Sequence, residues 1–319
     1  MRLTAREKEI LEFIKKHPMI SQDDLGAHFG ITRSSAAVHI SNLMKKGAIM
    51  GKGYVVNEQV SIVVIGRAYL QIDIRGGPEG VKIDLNFQGF ALNSCRSLRG
   101  LGLDVKVITV VGNDALASEL VEELQQGEAD IASLFRHPEK RSTRRVFIND
   151  VLAHEEGFSM EDYSQAFTQK EWVAVNCQWL ILEPIFKDFV YRKWMEKDVD
   201  RLPSICTCLT VGSAAQMPEY LSRFSVLVVG VEEGSQIETC AERLAELMHE
   251  GYALVCDGDN QLLYVQDGSL VEFPLLPNQK FNLDTALPYL LGGLVYGLSC
   301  GYNMRQAVRM AVGAACSSS

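Results

Sequence analysis

The chain has 319 residues, of which 47% are hydrophobic and 22% are charged, and its formal net charge is −9. This length is enough for one large α/β domain and a small one, and the composition excludes a disordered or fibrous chain. No apolar run approaches the roughly 20 residues that a membrane-spanning helix needs, and the N-terminus lacks a signal-peptide core. We therefore expect a cytoplasmic protein with no membrane contact.

The charge is distributed unevenly along the chain. Residues 1–60 contain nine Lys and Arg against six Asp and Glu, a net charge of +3, so the remainder carries −12. We call residues 1–60 the head and the rest of the chain the body. A basic head on an acidic body predicts that any contact with nucleic acid is confined to the head.

The eight cysteines are scattered, and the only close pair is Cys206 and Cys208, with one residue between them. Zinc knuckles need two intervening residues and a second pair of ligands at a set distance. We therefore expect reduced thiols in the core and no metal site.

Three helices are predicted in the head. Thr4 and Glu7 have the spacing of a capping box at the start of the first helix. Ser21 caps the second, which ends at Gly30, and Thr32 caps the third. The apolar residues of the third helix recur with helical spacing: Ala36, Ala37, Ile40 and Leu43.

A short β-ribbon is predicted at residues 48–56, after the third helix. From Glu7 to Val56 the chain closely resembles the winged-helix heads of bacterial regulators, in particular those that precede some PfkB-family proteins. The resemblance implies that residues 1–57 form a DNA-binding domain whose third helix enters the major groove of double-stranded DNA. The candidate contacts with bases and phosphates are Arg33, Ser34, Ser35, His39, Lys45, Lys46 and Lys52. For any one of them, the alternative is a solvated helix residue with no such role.

From residue 60 onward, β-branched strands alternate with helices. This order predicts a mostly parallel sheet covered by helices on both sides. The predicted strands are Ser61–Ile65, Val105–Val111, Trp179–Leu182, Ser204–Leu209, Val226–Val229 and Leu254–Cys256. Several segments of this body resemble the PfkB (ribokinase-like) sugar and nucleoside kinases, which implies a ribokinase-like fold for residues 60–319.

Three of these segments resemble the parts of the kinases that bind the substrate. Gln71–Gly76 resembles the Asn-x-Asp-x-x-Gly strand of the kinases, Gln88–Asn93 resembles their Gly-Gly-x-x-x-Asn segment, and Val111–Asp114 resembles their Val-Gly-x-Asp turn. The resemblance implies that a small sugar or nucleoside is bound by Asp73, Gly89, Asn93 and Asp114. The alternative is that these residues are structural caps and turns. Only residues 77–87 stand where the family has a longer lid, which predicts weaker exclusion of water.

The catalytic motif of the family is altered. Leu291–Leu298 resembles the helix that follows the kinase signature Asp-Thr-Thr-Gly-Ala-Gly-Asp, which then falls on Asn282–Pro288. Thr285 and Leu287 replace the two glycines that let backbone N–H groups approach the phosphoryl group. Pro288 stands at the position of the catalytic base and has neither a carboxylate nor an N–H.

Asp284 or Thr285 is expected to cap this helix, with Pro288 in its first turn. The Asn-x-x-Glu motif that organises magnesium and phosphate aligns with Val231–Gly234, and the Gly-x-x-Gly turn aligns with Gly258–Gln261. Family members usually continue into a further strand and helix, whereas this sequence stops at Ser319.

Our leading interpretation is a homodimeric transcriptional regulator whose catalytically degenerate, kinase-like body serves as a sensor of a small sugar or nucleoside or as a dimerisation module. No catalytic residue, metal or cofactor is expected. One alternative is an active kinase with a DNA-binding head, in which Asp284 acts as base and Mg²⁺ and ATP are required. A second alternative is a body that only pairs two DNA-binding heads.

Overall fold

The computed structural model describes residues 4–17, 20–45, 49–50, 55–56, 62–77, 80–127, 129–195, 202–248, 250–266, 268–276 and 279–316. Within these residues, no helix combines the length and the apolar character that crossing a membrane requires.

The head contains the elements that its sequence predicts, namely α1 (Ala5–Lys16), α2 (Gln22–Phe29), α3 (Arg33–Lys45), β1 (Ile49–Met50) and β2 (Val55–Val56). Each helix begins at its predicted cap. Thr4 and Glu7 form the capping box of α1, Ser21 accepts a backbone N–H of α2, and the Ser35 N–H donates to Thr32 Oγ1 at 3.1 Å. Local side-chain chemistry therefore sets all three helix starts.

A tight turn joins α2 to α3. Gly30 has φ 62°, in the left-handed region that favours glycine. A Cβ on Gly26 would lie 2.8 Å from the Ile31 carbonyl oxygen, so the two helices meet too closely for a side chain there. The buried core of the head consists of Ile10, Ile14, Leu25, Ala36, Ile40, Leu43 and Ile49. Lys46 and Lys52 lie outside the described residues.

The body has fourteen strands among the described residues. They are β3 (Ile62–Ile65), β4 (Tyr69–Gly77), β5 (Gly80–Gln88), β6 (Val105–Ile108), β7 (Val110–Val111), β8 (Phe135–Arg136), β9 (Arg144–Ile148), β10 (Val151–Glu156), β11 (Trp179–Leu182), β12 (Ser204–Val211), β13 (Val226–Val231), β14 (Tyr252–Cys256), β15 (Leu262–Gln266) and β16 (Ser269–Glu272).

The α-helices of the body are α4 (Phe90–Gly100), α5 (Ala115–Gln126), α6 (Met160–Val175), α7 (Lys187–Met195), α8 (Ile237–Leu247), α9 (Leu283–Ser299) and α10 (Met304–Cys316). Short 3-10 helices lie at Pro184–Phe186, Ala214–Gln216, Glu219–Arg223 and Gly234–Gln236.

The main sheet has the order β16-β15-β14-β13-β12-β11-β3-β6. The pairs from β14 to β6 are parallel, and β15 and β16 extend the sheet as antiparallel strands at one edge. The mostly parallel sheet that the alternating pattern predicts is confirmed. The single predicted strand at 105–111 divides at Thr109, because β7 leaves the main sheet and pairs in parallel with β8.

The sheet is covered on both faces because successive side chains of a buried strand point in opposite directions. Ile62 and Val64 of β3 belong to the core cluster beneath α4, α5, α9 and α10. Val63 and Ile65 belong to the cluster beneath α6, α7 and α8.

A second sheet forms a lid with the strand order β10-β9-β4-β5. The β4–β5 hairpin comes from the segment that the sequence places there, but β9 pairs in parallel with β4, and β10 pairs with β9. Residues 77–87 therefore supply only part of the lid, because a hairpin from residues 144–156 completes the sheet.

Glycine sets the close approach of α9 and α10, and this contact yields a stability prediction. A Cβ on Gly293 would lie 2.6 Å from Ala311 Cα, whereas a Cβ on Gly313 of α10 would meet nothing within 4 Å. We expect Gly293→Ala to lower the free energy of unfolding by about 1–3 kcal/mol through overpacking. The control variant Gly313→Ala should raise it by about 0.5–1 kcal/mol, because alanine is the better helix former. Urea unfolding measures both, and equal midpoints for the two variants would contradict the close approach.

Candidate functional site

A cleft of about 470 Å³ lies beside the ends of β3, β11 and β12, between the base of the lid and the start of α9. Ligands of open α/β sheets bind at this carboxyl edge of the strands, where loops diverge. The cleft is lined by Arg67, Tyr69, Gln71, Gln88, Gly89, Phe90, Asn93, Glu183, Pro184, Ile185, Cys208, Leu209, Thr210, Leu283, Thr285, Leu287 and Pro288.

Two of the four predicted substrate residues line this cleft. Gly89 precedes α4 with φ 122°, and a Cβ there would collide with the Arg67 carbonyl oxygen, so only glycine fits. One turn later, the Asn93 amide nitrogen donates to Gln88 Oε1 at 3.1 Å. Gly89 and Asn93 thus bring a bare backbone and an amide group to one wall of the cleft.

Asp73 is adjacent to the lining rather than part of it. Its two carboxylate oxygens accept hydrogen bonds from Gln71 Nε2 at 3.0 and 3.1 Å. Gln71 itself lines the cleft. Asp73 therefore orients the amide of Gln71, which leaves the carbonyl oxygen of that amide to meet a ligand.

Asp114 lies away from the cleft. It caps α5 by accepting from the Ala117 N–H at 3.1 Å, and it also accepts from Ser142 Oγ at 2.7 Å and pairs with Arg144 at 2.9 Å. Burial alone would raise the pKa of this carboxyl group, but the hydrogen bonds from Ser142, Arg144 and Ala117 hold it below the ordinary value. With both oxygens engaged, Asp114 anchors the start of β9 to α5.

A buried ion pair in the cleft was not foreseen from the sequence. Glu183 is only 6% exposed, and it accepts from the Arg67 backbone N–H at 2.7 Å and from Arg67 Nε at 2.8 Å. Burial works to lower the pKa of the Arg67 guanidinium, but the charge and hydrogen bond of Glu183 raise it overall. Glu183 directly follows the buried strand β11, and Arg67 follows the buried strand β3 after one glycine. These positions at the ends of two buried strands are the sequence signal that points to the pair.

Arg67 also reaches the lid. Its Nη1 lies 3.6 Å from Glu155 Oε1 on β10, and Glu155 in turn accepts from Arg145 Nε at 3.1 Å. The guanidinium of Arg67 therefore joins the loop after β11 to the lid across the cleft.

The start of α9 differs from the expectation. The helix begins at Leu283, and the Asn282 carbonyl oxygen accepts the Ala286 N–H at 2.9 Å, so Asp284 and Thr285 lie inside the first turn rather than capping it. Pro288 is consequently in the second turn, where it leaves the carbonyl of residue 284 without its helical donor. The side chain of Asp284 lies outside what the structure describes.

The exposed face of α3 carries most of the described DNA-contact candidates. Arg33, Ser34, Ser35 and Lys45 are exposed. The guanidinium of Arg33 lies 3.6 Å from Asp23, a solvent-exposed pair that phosphate can replace. His39 is half-buried and its Nδ1 is enclosed, with no hydrogen-bond partner among the described residues, so it is directed away from that face.

The comparisons with known proteins agree with both parts of the structure. Residues 3–50 match the winged helix-turn-helix DNA-binding family. The chain is 27% identical to the uncharacterized sugar kinase YeiI of Escherichia coli (strain K12), over 98% of this chain and 93% of that protein. The structure superposes on ribokinase from Thermotoga maritima with a TM-score of 0.63 and 16% identity, covering 81% of this chain and 93% of that one. A winged helix-turn-helix head is joined to a ribokinase-like body.

A second solved structure supports the assignment of the ribokinase-like fold. It is a nucleoside kinase from Burkholderia thailandensis in complex with inosine, with a TM-score of 0.60 and 14% identity over 80% of this chain and 90% of that one.

The ribokinase-like fold implies a site for ATP and Mg²⁺ near the start of α9, and the residues there do not fit one. Leu287 is 5% exposed, and a Cβ on Gly230 would lie 3.1 Å from its Cδ1. The side chain of Leu287 therefore packs into the core against β13, whereas the kinase signature has a glycine at this position. Pro288, also buried, stands at the position of the catalytic base and has no carboxylate to accept a proton.

The turn after β14 likewise has its backbone N–H groups engaged in hydrogen bonds within the turn. Asp257 Oδ1 accepts the backbone N–H groups of Asp259, Asn260 and Gln261 at 2.9, 2.9 and 3.0 Å. Burial opposes ionisation of Asp257, but these donors keep its pKa below the ordinary value. The N–H groups that a Gly-x-x-Gly turn would offer to a phosphate are thus bound internally by Asp257.

The remaining candidate chemistries in the ribokinase-like body concern thiols and metals. The described residues contain no group of three or more His, Cys, Asp or Glu side chains placed to hold a metal ion. Six cysteines are buried, Cys316 is half-buried and Cys300 is exposed. Burial raises the pKa of the Cys95 thiol to about 12, which makes it unreactive at neutral pH.

Proposed function

We propose that the protein is a DNA-binding transcriptional regulator whose ribokinase-like body binds a small sugar or nucleoside without phosphorylating it. The observation that carries this proposal is the contrast within one cleft. Its lid side presents the polar groups of Tyr69, Gln71, Gln88 and Asn93, whereas its α9 side presents the apolar Leu287 and Pro288, neither of which has the carboxylate that phosphoryl transfer needs as a base.

The effector class follows from these polar groups. Amide and hydroxyl groups recognise neutral hydroxyl-bearing ligands by exchanging hydrogen bonds. The similar solved structures are a ribokinase and an inosine-bound nucleoside kinase. Ribose and inosine therefore belong in the first panel of candidate effectors.

Calorimetry with millimolar Mg·ATP tests the absence of phosphoryl transfer. We expect no saturable heat from Mg·ATP, alone or with the sugar and nucleoside panel, and binding of at least one panel member to the protein by itself. The matched variant Asn93→Ala should bind that ligand about tenfold more weakly, because a hydrogen-bonding partner of the ligand is lost. Saturable Mg·ATP binding with release of ADP would overturn the proposal.

An active sugar kinase is the second candidate, favoured by the 27% identity to YeiI. In that case Asp284 supplies the base, and Asp284→Ala abolishes turnover while nucleotide binding persists. A third candidate is a body that only pairs two heads, which predicts DNA affinity that is unchanged by every member of the panel.

A homodimer fits the two half-sites that helix-turn-helix regulators read. The strand register places Val81, Ile83 and Leu85 of β5 on the same face of the lid as Ile148 and Val151, and the polar cleft residues Tyr69 and Gln71 on the other. These five apolar side chains, the lid face, are 47–68% exposed. We propose that a second copy of the chain covers the lid face, because contiguous uncharged apolar surface of this kind marks protein interfaces.

A further inference from the structure

One apolar side chain lies at the centre of the exposed face of α3. At about 100° per residue, Ser34, Val38, Ser41 and Lys45 form a stripe along one side of the helix. The opposite side carries the buried Ala36, Ile40 and Leu43. Val38 is 58% exposed and does not belong to the core cluster of the head.

The residues around Val38 suit the major groove of DNA. Ser34 lies one turn earlier, near the N-terminus of α3, and is exposed. Lys45 lies at the other end of the stripe, and the head as a whole carries a charge of +3. In helix-turn-helix proteins, the N-terminal part of the recognition helix meets the base edges, and flanking charges hold the phosphates.

Val38 can contribute only apolar contact, because its side chain has no hydrogen-bonding atom. In the major groove, the apolar group that distinguishes one base from the others is the C5-methyl of thymine. A branched side chain at the centre of the docking face therefore has one complementary target among the four bases.

We propose that Val38 is a specificity-determining residue that reads a thymine methyl group in each half-site of the operator. This inference rests on the proposed DNA-binding function and adds a base identity to it. His39, a candidate DNA contact from the sequence, is half-buried and directed away from this stripe, and Val38 takes the central position instead.

The first step of the test is to select binding duplexes from a random pool with the full-length protein. Each thymine of the selected duplex is then replaced singly by uracil, which removes only the methyl group. For the wild-type protein we expect one position in each half-site where uracil weakens binding about fourfold or more, the factor that corresponds to burial of one methyl-sized group.

Val38→Ala should lose a similar factor on the thymine duplex and become indifferent to uracil at that same position. Met44→Ala is the matched control, because Met44 is 41% exposed on the same helix but lies off the stripe. We expect the Met44 variant to keep the wild-type uracil profile. Circular dichroism confirms that both variants are folded.

Two results would separate failure of this inference from failure of the proposed function. An unchanged uracil profile in Val38→Ala, or no uracil-sensitive position in the wild type, overturns the role of Val38 while DNA binding stands. Recovery of no binding duplex from the pool overturns DNA binding itself, and the assignment of Val38 with it.

Discussion

Replacing Arg67 by methionine is expected to lower the free energy of unfolding by about 3–5 kcal/mol, the usual cost of leaving a buried charge without its partner. Glu183 is 6% exposed, and its oxygens receive the Arg67 backbone N–H, Nε and Nη2 at 2.7–2.8 Å. Methionine keeps the length and packing of the arginine stem but supplies no charge. The carboxylate of Glu183 then faces the cleft with only the backbone donor.

The double variant Arg67→Met/Glu183→Gln isolates the electrostatic part of this loss. Glutamine retains an acceptor for the Arg67 backbone N–H but carries no charge, so the double variant should be more stable than Arg67→Met alone. Arg75→Met is the surface control, because the Arg75–Asp150 pair at 2.9 Å is solvent-exposed and should contribute nothing measurable. Urea unfolding followed by circular dichroism gives all four midpoints. If the urea midpoint of Arg67→Met equals that of the wild type, the Arg67–Glu183 ion pair does not stabilise the fold.

Introducing a charge on the lid face is expected to produce a monomer and to weaken operator binding about 100-fold or more. The proposed variant is Ile83→Glu, because Ile83 is 60% exposed and pairs across the strands with Ile74 on the same face. A carboxylate at that position would be desolvated in a dimer interface. Loss of the second head removes the bivalent contribution to binding, which is commonly 10²- to 10⁴-fold.

Lys82→Glu is the matched control for this variant. Lys82 lies on the same strand, is exposed, and points to the opposite face of the lid beside Arg75, away from the residues that line the cleft. Sedimentation velocity measures the oligomeric state, and titration of the selected duplex measures affinity. A wild-type monomer, or an Ile83→Glu variant that remains dimeric, would rule out the lid face as the interface.

The local pattern of residues was sufficient for the helices of the head and for the fold class. The capping box of Thr4 and Glu7, the cap at Ser21 and the glycine at position 30 act within one helical turn, so their geometry can be read from spacing alone. The alternation of β-branched strands with helices likewise predicted the parallel sheet. The replacements at Leu287 and Pro288 were visible in the sequence, because loss of an N–H donor and of a carboxylate is a property of the residue type.

The contacts that define the cleft depend on tertiary structure. Arg67 and Glu183 are 116 residues apart in the chain and meet because β3 and β11 are parallel neighbours in the sheet. The lid acquires β9 through pairing with β4, and Asp114 is engaged by Ser142 and Arg144, which are 28 and 30 residues further along the chain. Hydrophobic periodicity and capping encode interactions a few residues apart, whereas strand order and ion-pair partners are set by which distant segments the folded chain brings together.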